Sequence, residues 1–132
     1  MIDSPPIMRI GANVLVSLRG DMDDATVVAI EDAVMNEIAG RRTTGALIDV
    51  SGLSVVDSFI ARVIARMAAM ARLLGAETAV VGIQPAVAIT LVEMGVPMSQ
   101  LNTALNAEQG LALLGRLVDG GRGHAGAAES EG

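Results

Sequence analysis

Several chemistries are closed to this chain by what it lacks. It has no cysteine, so disulfides, thiolate nucleophiles and thiolate metal sites are excluded. It has no lysine; all nine basic residues are arginine. That removes a Schiff base, a P-loop lysine and a lysine general base. The single histidine, His124, lies in a Gly/Ala tail, so the folded part cannot assemble a Ser-His-Asp triad or a histidine zinc site. Tryptophan and tyrosine are absent, and one phenylalanine is the whole aromatic complement. Long apolar runs are missing as well, since none approaches the roughly 18 residues that suggest a membrane span. The N-terminal MIDSPPIM carries an Asp and two Pro where a signal peptide carries basic residues. Positive charge is in short supply: the net charge is −6, which argues against a sequence-independent grip on nucleic acid. A cytoplasmic protein with no membrane contact is expected.

What is present is apolar. Hydrophobic residues make up 52% of the 132 and charged residues 18%, enough for one domain with a sizeable core. That core must be Val, Ile, Leu, Met and Ala. The eight Met either fill irregular gaps or line an adaptable contact surface.

The pattern alternates strands and helices. Ile7 to Ile10 and Val14 to Leu18 read as strands of a hairpin, with Gly11-Ala12-Asn13 as the turn. Asp23 is a good N-cap for a helix through about Ala39, whose stripe is Val27, Ile30, Val34 and Ile38; Gly40 follows as a C′ residue. The Asp21, Asp23 and Asp24 cluster lacks the ligand spacing of a calcium loop, so it reads as helix capping and no metal site is expected. Ala46 to Val50 is a buried strand. Ser58 to Leu74 is a helix with a core stripe of Phe59, Val63, Met67, Met70 and Leu74, widened by Ile60 and Ile64; Gly75 ends it. Thr78 to Gly82 is a strand, and Pro85 opens a helix to about Met94. An edge strand is expected near Leu101-Asn102-Thr103, and Asn106 caps a last helix containing Leu111, Leu114, Leu117 and Val118. From Gly120 periodicity is lost, so 1–118 is expected to be the domain and 119–132 a disordered Gly/Ala-rich tail. The tail sets one Arg against three acids, which accounts for −2 of the −6. The fold class is α/β: a mixed, partly parallel sheet with helices packed on it.

Residues 46–66 hold the most informative stretch. The buried strand gives way at Asp57-Ser58 to helical spacing, just beyond a strand's carboxyl end, where sites tend to gather. Ser58 can be the N-cap, or Asp57 can be the cap with Ser58 at N1. Phosphorylation of Ser58 would add roughly −1.5 to −2 charges there. Asp57 would repel that charge. Arg62, one turn on, can pair with Asp57 or with a phosphate, whereas Arg66 is expected to be solvated. A receiver-like domain phosphorylated on Asp49 or Asp57 is disfavoured by the missing lysine. A small-ligand sensor or an enzyme is disfavoured by the missing Lys, Cys and core His.

Asp49-Val50-Ser51-Gly52-Leu53, Val56-Asp57-Ser58, Leu74-Gly75-Ala76 and Gly82-Ile83-Gln84-Pro85-Ala86-Val87-Ala88 together resemble the STAS domain family, which includes the anti-anti-sigma factors. With Phe59-Ile60-Ala61 and the segments TLVEMGV and ALNAEQGL, the likeness is to its RsbS-type stressosome scaffolds and covers about residues 7–118. The resemblance implies a non-enzymatic oligomer without a cofactor that co-assembles with RsbR-type co-antagonist STAS proteins. It implies sequestration of an RsbT-type serine kinase until Ser58, the motif serine, is phosphorylated, in the control of a stress response. Thr90 lies near where related co-antagonists carry a second phosphorylated Thr. The alternative within the family is a stand-alone anti-sigma factor antagonist.

Overall fold

The computed structural model describes residues 7–97, 99 and 101–131, with side chains up to Gly120. Residues 1–6, part of the expected 1–118 domain, lie outside the described residues. The elements in chain order are β1 (Ile7–Ile10), β2 (Asn13–Arg19), α1 (Asp24–Gly40), β3 (Gly45–Gly52), α2 (Ser58–Leu73), β4 (Glu77–Val81), α3 (Pro85–Glu93), β5 (Asn102–Ala104) and α4 (Ala107–Glu131).

The five strands lie in sequence order across one sheet. β1 and β2 form the expected antiparallel hairpin, with Ile7 opposite Val16. The neighbours β2 to β5 are parallel, so each connection between them must cross over, and α1, α2 and α3 are those crossovers.

Strand alternation then decides the two faces. Val14, Val16 and Leu18, Ala46, Ile48 and Val50, and Val80 point to one side and pack with buried residues of α1, α2 and α3. Leu47, Ala79 and Val81 point to the other side and meet Leu114 of α4. Gly110 lets α4 come this close: a Cβ there would stand 2.6 Å from Val81 Cγ1 and 2.8 Å from Leu47 Cδ1.

Helix ends follow their sequences, with one exception. Gly75 and Gly95 take positive φ (92° and 77°), and the following N–H groups of Ala76 and Val96 reach back to Ala71 and Leu91 carbonyls. Gly40 does not behave this way. It is the last helical residue, its φ is not positive, and the Arg41 N–H continues the ladder to Glu37 O at 3.2 Å before the chain leaves extended.

The buried stripe of α2 is also rotated from expectation. Ala61, Val63, Ile64, Met67, Ala68 and Ala71 are buried, while Leu74 is exposed and Phe59 and Met70 are half-buried. The helix lies close to its neighbours, so alanines occupy the contact and larger side chains flank it.

The backbone of α4 is helical as far as Glu131, within the 119–132 stretch that the sequence reads as unstructured. No proline follows Pro97 to block that continuation, and Ala125, Ala127 and Ala128 favour it. Its packing on the sheet is made by Leu114, flanked by Ala107, Leu111 and Leu113.

Candidate functional site

The carboxyl ends of β2, β3 and β4 are tied together. Gly20 N–H donates to Gly52 O at 3.2 Å, and Leu53 N–H turns back to Val50 O at 2.9 Å. Gln84 at the start of α3 donates its Nε2 to Ser51 O at 2.9 Å. Gly82 takes φ of 77°, and a Cβ there would lie 2.7 Å from Ser51 Cβ, so only glycine fits beside β3. Buried Leu53 and Val56 then pin the 53–57 loop to the core, while Ser54 and Val55 stay exposed. This framework fixes where α2 begins.

At that beginning the two candidate caps separate. Asp57 is the N-cap: its backbone is extended and Oδ1 accepts the Ile60 N–H at 2.9 Å. Ser58 is the first helical residue, exposed, with no side-chain hydrogen bond among the described residues. Its hydroxyl is therefore not needed to close the helix. Beside Asp57 lies a hollow of about 140 Å³ between the starts of α1 and α2, floored by Leu18, Val27, Val56 and Ile60. Asp23 caps α1 in the same manner, taking the Thr26 N–H at 2.8 Å. The Thr26 hydrogen bonds hold its carboxyl below its ordinary value of 3.8, so the cap stays ionised. The expected capping role of the aspartate cluster thus falls on Asp23, and among the described residues no cluster suited to a metal ion occurs.

The arginines of α2 differ in their commitments. Arg62 is exposed and joins no ion pair among the described residues. Arg66 is exposed, as the sequence suggests, but its guanidinium is committed to a partner. It forms a two-pronged pair with Glu31 of α1, Nε to Oε2 and Nη2 to Oε1, each at 2.7 Å. Glu31 is 5% exposed, and its hydrogen bonds and charge hold the Arg66 proton more firmly than usual. The signal for Glu31 was only that it adjoins Ile30 on the buried stripe of α1. Its partner lies 35 residues away, beyond the reach of local spacing.

Thr90 lies within α3, half-buried, and its Oγ1 donates to Ala86 O at 3.1 Å in its own helix. The structure does not join it to Ser58 by any hydrogen bond among the described residues. A larger groove of about 320 Å³ runs between the second half of α2 and Val96, Pro97 and Leu101, and neither Ser58 nor Asp57 lines it. Among the described residues no helix is long and apolar enough to cross a membrane.

A mixed-sheet domain of this order, with a capped serine-bearing helix at the sheet's carboxyl edge, matches a known family model. Residues 4–109 fit the STAS domain, and the chain belongs to that family. A structure of RsbS S58E from Moorella thermoacetica superposes with a TM-score of 0.77 at 38% identity, covering 85% of this chain and 97% of that one. A chain in a structure described as the molecular architecture of the stressosome, a signal integration and transduction hub, gives a TM-score of 0.76, also at 38% identity, covering 85% and 97%. By sequence the chain is similar to the RsbT co-antagonist protein RsbRA of Bacillus subtilis (strain 168), 30% identical over 117 residues. That match takes in 88% of this chain and 43% of the relative, so the chain spans less than half the length of that protein.

Proposed function

We propose that this chain is a phosphorylatable scaffold subunit of a stressosome-type assembly and has no catalytic activity of its own. In this reading it self-associates and assembles with RsbR-type STAS proteins in the cytoplasm. It holds an RsbT-type serine kinase until that kinase phosphorylates Ser58, and release of the kinase starts a stress response. The single observation that carries the reading is the division of labour at α2. Asp57 closes the helix, which leaves the Ser58 hydroxyl exposed and uncommitted. Likeness to RsbS and to a stressosome chain at 38% identity supports it.

The physical switch is a charge placed under a docked partner. An unpaired charge buried in an interface costs several kcal/mol, and about 1.4 kcal/mol is tenfold in affinity. The test is incubation with the cognate kinase and ATP, phosphosite mapping, and kinase binding by Ser58→Asp. Phosphate is expected on Ser58, with binding to Ser58→Asp weakened at least tenfold. Absence of phosphate from Ser58, or unchanged binding, overturns the reading. The same mapping reports on Thr90, whose hydroxyl must first leave the Ala86 carbonyl to be modified.

A further inference from the structure

We infer that Arg62 is the internal counter-ion of phosphorylated Ser58, so that the phosphate is held along α2. The inference rests on the proposed modification of Ser58 and assigns what receives it. Three observations select Arg62. It stands four residues after Ser58 on the same helix, where side chains are neighbours. The order matters too, because an anion at the first position and a cation four residues later is the favourable arrangement in a helix. Arg66, the next arginine, is already held by both Glu31 oxygens and is not free to turn toward Ser58.

The remaining charges at this end do not displace Arg62. The Asp57 Oδ1 is engaged with the Ile60 N–H, and no ion pair to Arg62 forms. Asp24 and Arg19 line the hollow beside Asp57, and Arg19 is paired with Asp21 at 3.4 Å. The unmodified protein thus presents an exposed hydroxyl and an uncommitted guanidinium one turn apart. Phosphorylation turns them into an ion pair. The phosphorylated state then offers partners one oriented phosphate, with Arg62 no longer uncommitted.

The experiment places phosphoserine at position 58 of the full chain during translation and follows its ³¹P signal through a pH titration. Arg62→Gln is expected to raise the phosphate's second ionisation by about 0.3 pH units, near a factor of two in proton affinity. Arg62→Lys is expected to keep most of the wild-type value. Arg72→Gln, at the far end of α2, is expected to change nothing. A titration of Arg62→Gln that superposes on wild type overturns the inference. An equal shift with Arg72→Gln overturns it too, since that would reflect net charge alone. Because the phosphate is installed without a kinase, a failed kinase assay and a failed counter-ion assignment give separate results.

Discussion

Asp57 and Ser58 are neighbours with different duties. The aspartate satisfies a backbone donor that would otherwise be bare at the start of α2, whereas the serine satisfies nothing in the fold. Replacing the cap should therefore cost stability, and replacing the serine should not. Asp57→Ala is expected to lower unfolding stability by about 1 kcal/mol in urea titrations. Ser58→Ala is expected to stay within about 0.5 kcal/mol of wild type by the same measurement. The reverse ranking would make Ser58 a structural cap and remove the main support for a switch. Both residues were legible in the sequence as a polar pair at a strand-to-helix junction. Which of them capped was not, because Asp and Ser are almost equally good at that position. Only the backbone trajectory fixed by the 53–57 loop decides between them.

At the scale of elements, alternation and capping residues were enough to read all five strands and the first three helices close to their observed limits, and the start but not the end of α4. Two further features escaped that reading. The buried side of α2 is lined by Ala61, Ala68 and Ala71, which carry little weight in a hydrophobic stripe, so larger neighbours such as Leu74 were given more than their share. The Glu31–Arg66 pair joins α1 to α2, and its cause is tertiary: Glu31 is nearly dry where the two helices meet. Removing Arg66 strands that carboxylate. Arg66→Met is expected to cost about 2 kcal/mol, below the range for fully buried pairs because the guanidinium side chain is 49% exposed. Glu31→Leu combined with Arg66→Leu should recover most of the loss, as measured by denaturant midpoints across the cycle. If both arms of the cycle are neutral, the pair does not help to seat α2.

At the scale of the whole molecule, α4 is the only helix on its side of the sheet among the described residues, and its seat depends on a missing side chain. Gly110→Ala puts a methyl into the space of Val81 and Leu47, and overpacking of this kind costs about 1–3 kcal/mol. Helix propensity returns up to about 1 kcal/mol, so a net loss is expected. Gly115 on the same helix has nothing near its missing Cβ, so Gly115→Ala is expected to gain about 0.5–1 kcal/mol. Thermal unfolding of the two variants, one melting below wild type and the other above, checks the seat directly. The placement of α4 has a further consequence. The sheet stands as a wall between α4 and the three crossover helices, and Ser58 belongs to the crossover side. A protein reading Ser58 and a protein gripping α4 would approach from opposite sides of that wall. Neither would stand in the other's way, so the chain has room to be held and interrogated at once.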